Sequence, residues 1–113
     1  MKAALLFALF VLGSQFAHAG GDAKAGEQKA KPCTACHGAG FDTPISADIP
    51  RLAGQQQDYL ERALTDYKSG ARKNPVMGGQ AGALSAQDIQ DVASYVGGLG
   101  GKLKIIPLHR LVQ

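Results

Sequence analysis

The sequence predicts an all-α protein, and three observations support this fold class. Three stretches place apolar or small residues at helical spacing. No stretch alternates apolar and polar residues over the length of a strand. Valine and isoleucine, which favour strands, are scarce. We therefore expect helices joined by loops in a single domain, because a chain of 113 residues leaves room for one.

The N-terminal segment predicts a secretory signal peptide over residues 1–19. Lys2 supplies a positive start, residues 3–12 are continuously apolar, and Ala17 and Ala19 form a small-x-small cleavage pattern. The apolar run reaches only about 15 Å as a helix, whereas the hydrocarbon core of a bilayer is roughly 30 Å thick. We therefore expect cleavage after Ala19, export to the periplasm and no membrane span in the mature protein.

The remaining chain divides into a domain over residues 20–100 and a C-terminal tail over residues 101–113. The tail reads GKLKIIPLHRLVQ and is apolar and basic, and its Pro107 blocks simple extension of a helix. Packing on the body, binding to a partner and disorder all remain open for it. The formal net charge is +3, and no basic stripe is present, which argues against nucleic acid as a partner.

The first predicted helix covers residues 22–30. Asp22 suits the N-cap position, and Pro32 ends the helix because the residue before a proline is pushed out of the helical region. Small side chains on one face would let another helix approach closely. These small residues are Ala23, Gly26 and Ala30.

The second predicted helix covers residues 55–69, and the third begins after Ser85. Gly70 suits the C-terminal cap of the second helix. Ser85 and Asp88 resemble a capping box for the third. Each helix has an apolar face at spacings of three and four residues. These faces contain Leu60, Ala63, Leu64 and Tyr67 in the second helix, and Ile89, Val92, Ala93, Val96 and Leu99 in the third.

Two long connections, residues 38–54 and 71–84, are rich in glycine and proline and are predicted as loops. Loops of this length in a small domain are usually functional or disordered. The aromatic supply after the predicted signal is thin, and there is no tryptophan. Domains this small often need a disulfide, a metal or another large buried group. Loops that wrap around such a group would explain both connections.

Two cysteines and a histidine occur together as Cys33, Cys36 and His37, and their spacing places them on one face of a helical turn. A disulfide between them would close a trivial loop, and a thioredoxin-like pair expects a βαβ pattern. Structural zinc needs about four ligands. Outside the predicted signal the only further histidine is the distant His109, so a carboxylate or water would have to complete the site. C-x-x-C-H is also a covalent haem attachment site, and the export signal and the thin core favour haem.

Met77 is the candidate for the other axial position of a haem iron. It is the only methionine besides Met1 and lies in the predicted loop NPVMGG. A core methionine that fills a gap normally sits on a patterned element. A thioether opposite an imidazole raises the potential of haem in electron carriers. His109 is the rival ligand, and exposure to solvent is the simpler explanation for it.

Four blocks of the sequence resemble the short bacterial class I c-type cytochromes, particularly the single domains of di-haem periplasmic cytochromes c. The blocks read GDAKAGEQKAKPCTACHG, IPRLAGQ, YLERALTDYKSGARKNPVMGG and LSAQDIQDVASYVGGL. The resemblance covers residues 21–99. It implies the class I cytochrome c fold, with three to five helices wrapped around one covalently bound haem c. Only one C-x-x-C-H occurs, so we expect one haem.

The resemblance also implies roles for the matching residues. Cys33 and Cys36 carry the thioether bonds, and His37 and Met77 are the axial ligands of the haem iron. Pro50 matches the family proline whose backbone carbonyl accepts the hydrogen bond from the proximal histidine. Two further residues match the positions where the first and last helices cross, and three are expected near the haem or its propionates. The former are Gly26 and Tyr95, and the latter are Tyr59, Tyr67 and Arg72.

The predicted function is one-electron transfer by a monomeric periplasmic protein of a respiratory chain, which is not an enzyme by itself. The expected partners are a redox donor and acceptor, namely membrane respiratory complexes or periplasmic oxidoreductases. A basic cluster of Lys68, Arg72 and Lys73 could steer an acidic partner, although an ordinary solvated helix end explains it equally well. Two alternatives are a haem-bearing subunit of a larger oxidoreductase, docked by its tail, and a gas-binding haem protein if Met77 is not a ligand.

Overall fold

The computed structural model describes residues 20–103, and within this range the regular structure is entirely helical. The all-α prediction is confirmed, and the described residues form five α-helices. None of these helices has the length and apolar character to cross a membrane. The elements are α1 (Ala23–Lys29), a 3-10 turn (Lys31–Cys33), α2 (Thr34–His37), α3 (Gln57–Ser69), α4 (Pro75–Gly82) and α5 (Ala86–Gly97). The predicted signal peptide, His109 and the tail from residue 104 lie outside the described residues.

The cap residues identified in the sequence lie at the ends of the three predicted helices. The Asp22 carboxylate accepts hydrogen bonds from the first N–H groups of α1. Gly70 ends α3 in the left-handed region, at φ 83°. Ser85 and Asp88 form a complete capping box at the start of α5. The helices are therefore where the sequence predicts them, with ends that differ by one or two residues.

Helix α4 corrects the prediction that residues 71–84 form a loop. The Asn74 side chain accepts hydrogen bonds from the N–H groups of Val76 and Met77, each at 3.0 Å. Pro75 occupies the first helical position, where its missing N–H costs nothing and its fixed φ suits the helix. A strong N-terminus and packing against α3 therefore outweigh the poor helix propensity of the glycines.

Helices α1 and α5 cross at Gly26, as the resemblance implies. A Cβ atom at Gly26 would lie 1.9 Å from the carbonyl oxygen of Asp91 and 3.0 Å from the Cβ of Tyr95. Ala30 is buried beside this contact, whereas Ala23 is exposed. The crossing therefore depends on the absence of a side chain at one position more than on a stripe of small residues.

A buried carboxylate joins the same two helices. Asp91 is 3% exposed and accepts hydrogen bonds from the backbone N–H of Asp22 at 2.7 Å and from Lys29 Nζ at 2.6 Å. Burial opposes ionisation of Asp91, but these bonds and one from Gln87 lower its pKa. The same ammonium lies 2.7 Å from Asp88 and lowers the pKa of Asp88 to about 2. The pKa of Lys29 is raised in return.

Phe41 anchors the long loop between α2 and α3. Its ring is 1% exposed and meets the Tyr95 ring edge-on at 6.2 Å. Its backbone has φ 58°, a conformation that strains residues other than glycine. Its carbonyl oxygen accepts hydrogen bonds from both Leu52 and Ala53. Burial of the ring and these two hydrogen bonds stabilise the loop and offset the strain of the positive φ at Phe41.

Candidate functional site

The two cysteines and the histidine lie on one continuous turn. Cys33 ends the 3-10 turn, and Cys36 and His37 are the last residues of α2. Gly38 ends the turn at φ 88°, and a Cβ atom there would lie 2.2 Å from the carbonyl oxygen of Thr43. Glycine therefore lets the loop fold back closely under the histidine. The turn presents two thiols and one imidazole within five residues of sequence.

The His37 ring is fixed by a backbone carbonyl. The ring is buried, and its Nδ1 lies 2.9 Å from the carbonyl oxygen of Pro50. A carbonyl oxygen can only accept, so Nδ1 must carry the proton. In the neutral imidazole this leaves a lone pair on Nε2, the atom available to bind a metal ion. The hydrogen bond also makes the ring a more basic ligand and sets its orientation.

An apolar cavity of about 130 Å³ lies between the cysteine turn and α4, and Cys33 and Met77 both line it. The polar side chains at its wall belong to Lys29 and Gln80. A more open groove of about 440 Å³ runs along residues 43–51, but neither thiol nor Met77 lines that groove. The smaller cavity therefore brings an attachment thiol and the candidate sixth ligand together. Its other lining residues are Pro32, Leu64, Ala81, Ala83, Leu84 and Val92.

Met77 belongs to the first turn of α4 and is half-buried. Its position on a helix corrects the argument that it lies in a loop and is therefore unlike a packing methionine. The sequence signal for this helix is the pair Asn74 and Pro75, a cap residue followed by a proline at the first helical position. The assignment of Met77 as an iron ligand therefore depends on its position at the cavity that Cys33 also lines.

The thiols do not resemble a reactive redox pair or part of a closed zinc site. Cys33 and Cys36 are free and half-buried, and burial raises the pKa of the Cys33 thiol, whereas reactive thiols have lowered pKa values. Within residues 20–103, no three side chains of histidine, cysteine, aspartate or glutamate converge to hold a metal ion. The described residues thus lack the protein ligands of a structural zinc site.

Comparison with known proteins decides the family. The family model described as Cytochrome c matches residues 23–100. The chain belongs to the cytochrome c family. The predicted class I cytochrome c fold and the predicted cofactor, covalently bound haem c, are both confirmed by this membership and by the relatives and structures that follow.

Cytochrome c4 from Pseudomonas aeruginosa is 44% identical over 96 residues, which cover 84% of this chain and 47% of the relative. The thiosulfate dehydrogenase electron acceptor of Thiomonas intermedia is 38% identical over 103 residues, which cover 91% of this chain and 48% of the relative. The crystal structure of reduced cytochrome c4 from Pseudomonas stutzeri aligns with a TM-score of 0.62 at 35% identity, covering 69% of this chain and 48% of that chain. The chain spans about half the length of these curated relatives.

The donor set of this cytochrome c domain fits a c-type haem. Cys33 and Cys36 are unpaired thiols of a C-x-x-C-H motif, and the tautomer of His37 leaves Nε2 free for iron. Met77 supplies a thioether at the wall of the apolar cavity. These are the donors that the chemistry of covalent attachment and His/Met ligation requires.

Tyr59 in the first turn of α3, Tyr67 near the C-terminal end of α3 and Arg72 after the helix form a cluster. The Arg72 guanidinium carbon lies 4.8 Å from the centre of the Tyr67 ring, and Nη1 donates to the Tyr59 hydroxyl at 3.4 Å. This hydrogen bond raises the pKa of Arg72. None of the three lines the cavity between Cys33 and Met77. The structure therefore brings them together, while their predicted place beside the haem remains a prediction.

Lys68, one residue of the basic cluster, caps the end of α4. Its Nζ donates to the backbone carbonyls of Gly82, at 3.2 Å, and of Leu84. The charge is therefore held against the negative end of the helix. All three residues of the cluster, Lys68, Arg72 and Lys73, are exposed.

The sequence reasoning also missed the ionic contact between Lys29 and the carboxylates of α5. Asp91 lies two residues from Ile89 and next to Val92, on the buried side of α5. An acidic residue that falls on an otherwise apolar helix face is the signal for a buried partner, because an isolated buried charge is costly. The position of that partner, 62 residues away, follows only from the crossing angle of the two helices.

Proposed function

We propose that this chain is a periplasmic one-electron carrier with a single haem c held by His37 and Met77. The hydrogen bond between His37 Nδ1 and the Pro50 carbonyl carries the proposal. It fixes the orientation and tautomer of the ring that present Nε2 as a ligand. Family membership supplies the cofactor, and the position of Met77 at the cavity supplies an opposing thioether.

Each residue of the site then has a definite task. Cys33 and Cys36 would anchor the ring through thioether bonds, and His37 and Met77 would bind the iron. When bound, the haem supplies one-electron chemistry through its ferric and ferrous iron. The protein supplies fixed ligands and an apolar surrounding that excludes water. This surrounding comes from Leu64, Leu84 and Val92.

Carbon monoxide tests the ligation. With both axial positions filled, the ferrous protein should not bind carbon monoxide at neutral pH, whereas the Met77→Ala variant should bind it readily. Absorbance spectra of the purified ferric and ferrous proteins, with and without the gas, measure this. Ready binding by the unaltered protein would contradict His/Met ligation and would favour the gas-binding alternative.

The proposed domain organisation is a signal peptide over residues 1–19, a haem domain over residues 20–100 and a tail over residues 101–113. The apolar run and the small-x-small pattern before Gly20 support the first boundary. Mass spectrometry of the periplasmic protein should find a chain that begins at Gly20 and carries one covalent haem. A periplasmic chain with two free thiols would contradict the proposed attachment.

The proposed partners are a redox donor and acceptor, met by a monomer that makes or breaks no substrate bond itself. Arg72 and Lys73 are exposed near α4 and favour a partner with an acidic face. A relative named as the electron acceptor of thiosulfate dehydrogenase supports a periplasmic oxidoreductase as the donor.

The second candidate function is that of a haem-bearing subunit of a larger oxidoreductase, which the tail would dock onto its partner. Pull-down with the full chain and with a chain lacking residues 101–113 distinguishes the two. A carrier should show transient contact in both cases, and a subunit should be retained by the full chain alone.

A further inference from the structure

The first three residues of the tail lie across the long loop between α2 and α3. A Cβ atom at Gly101 would lie 2.5 Å from the carbonyl oxygen of Ala53, so the two backbones are in close contact. The backbone N–H of Lys102 donates to Asp42 Oδ1 at 2.8 Å. The carbonyl oxygen of Leu103 lies against Gly54. We call residues 101–103 the strap, because they contact both ends of the loop segment 42–54.

This loop segment is closed on itself around Pro50. The Phe41 carbonyl accepts hydrogen bonds from the N–H groups of Leu52 and Ala53 at 2.8 and 2.9 Å. Arg51 Nε donates to the Asp42 carbonyl at 2.8 Å. Pro50 lies between the two ends of the segment and adjoins Arg51, so these bonds surround it on both sides in the chain.

Pro50 has a single polar group to offer, because proline has no N–H. Its carbonyl holds His37 Nδ1 at 2.9 Å. A hydrogen bond of this kind weakens steeply as its distance and angle depart from the optimum. A loop that is free to shift at Asp42 and Ala53 would hold this acceptor less well than one fixed from outside.

We propose that the strap positions the Pro50 carbonyl for its hydrogen bond with His37, so that the beginning of the tail tunes the iron ligand. The inference rests on the proposed function in one respect, that His37 binds the haem iron. A firmly accepted Nδ1 proton makes the imidazole a more basic ligand, which favours the ferric over the ferrous state. Loosening the strap should therefore raise the reduction potential of the haem.

A matched pair of glycine substitutions in the holoprotein tests the strap. Gly101→Ala places a methyl group 2.8 Å from the Cβ of Ala53, whereas a Cβ atom at Gly100 meets nothing within 4 Å. In the ferrous Gly101→Ala protein we expect the His37 Nδ1 proton to exchange with solvent at least tenfold faster, as measured by NMR. The midpoint potential of the haem should be higher than in the unaltered protein. Gly100→Ala should match the unaltered protein in both measurements.

A second pair isolates the hydrogen bond of Asp42 and serves if Gly101→Ala does not fold. Asp42→Ala removes the acceptor for the Lys102 N–H, and Asp42→Asn keeps a carbonyl oxygen in its place. Asp42→Ala should speed the exchange and raise the potential, and Asp42→Asn should restore both. Unchanged exchange and potential in Asp42→Ala would overturn the proposal, as would an Asp42→Asn protein that behaves like Asp42→Ala.

The unaltered protein keeps the two hypotheses distinguishable. If it binds carbon monoxide when ferrous, the proposed ligation fails, whatever the strap does. If it excludes the gas and the strap variants retain the exchange rate and potential of the unaltered protein, the ligation stands and the strap proposal fails.

Discussion

The α1–α5 crossing and the α4 side of the molecule are stabilised in opposite ways. At the crossing, Gly26 lies directly against the α5 backbone, and Asp91 is buried with three hydrogen-bond donors around it. On α4, Val76 is 65% exposed, and a Cβ atom at Gly79 or Gly82 would meet nothing within 4 Å. The crossing is held by the protein's own contacts, whereas α4 borders the cavity where we propose that the haem completes the packing.

The composition of the core supports the same contrast. Its buried hydrophobic members are mostly alanine and valine, and Phe41 is the one large side chain among the described residues that is fully buried. A domain of this size rarely obtains enough stability from such a core alone. The difference between the two regions teaches that one side of the fold is specified by the chain and the other by the chain together with its cofactor.

The largest effect should come from removing the attachment. In the Cys33→Ala/Cys36→Ala variant the haem is not covalently held, and the small core should not keep the chain folded. We expect the helix signal in far-UV circular dichroism to fall below half of that of the holoprotein. Retention of full helix content without haem would show that the α4 side needs no cofactor, and the contrast would be wrong.

The same substitution should act in opposite directions on the two sides. Gly26→Ala forces a methyl group into the crossing and should lower the free energy of unfolding by about 3 kcal/mol. Gly79→Ala has open space around it and should raise that free energy by about 0.5–1 kcal/mol through helix propensity. Denaturant unfolding of both holoproteins measures the difference. Equal losses at the two positions would remove the distinction between the regions.

Neutralising the buried carboxylate should weaken the crossing alone. Asp91→Asn keeps an acceptor for the Asp22 N–H but loses the charge that pairs with Lys29, and we expect a loss of about 2 kcal/mol. The exposed Asp48→Asn is the control and should stay within about 0.5 kcal/mol of the unaltered protein. Equal stability of Asp91→Asn and the unaltered protein would contradict a structural role for the buried charge.

The smallest effect is a pH dependence at the same crossing. The folded pKa of Asp88 is about 2, below the unfolded value of about 3.9. Its ionised form therefore stabilises the fold fully above about pH 4, and this contribution is lost as the pH falls through about 2. Unfolding of Asp88→Asn and of the unaltered protein should differ at pH 6 and converge in this acid window. A constant difference across the window would contradict the ion pair.

The raised pKa of Lys29 gives the opposite dependence. Its contribution is complete below the unfolded lysine pKa of about 10.4 and is lost as the pH rises through the folded value. A Lys29→Gln variant should therefore approach the unaltered protein in stability at strongly alkaline pH. This second window separates the ammonium from the carboxylates in the same contact.

The sequence predicts the crossing well because local signals coincide there. Asp22 and Ser85 mark helix starts, and Gly26 permits the close approach. Helix α4 was not predicted because its glycines have low helix propensity, although Asn74 and Pro75 form a favourable helix N-terminus. The partner of Asp91 and the contact of the tail with Ala53 could not be predicted, since both depend on how distant segments meet in space rather than on local spacing.

One part of the candidate site can be predicted from local spacing, and the other part depends on how helices pack. The turn that bears Cys33, Cys36 and His37 follows from spacing within five residues. The place of Met77 at the cavity depends on how α4 packs against α3, which no local pattern encodes. Tyr59, Tyr67 and Arg72 were expected beside the haem from resemblance alone, and the structure shows their contacts with one another.

Hydrogen exchange of the Met77→Ala holoprotein tests the contrast between the two regions most directly. With the thioether removed, α4 should lose its attachment to the iron, while the α1–α5 crossing keeps its own contacts. We predict faster exchange in peptides from residues 74–84 and unchanged exchange in peptides from residues 22–30 and 86–97. Unchanged exchange at residues 74–84, or equal acceleration in all three, would contradict the account.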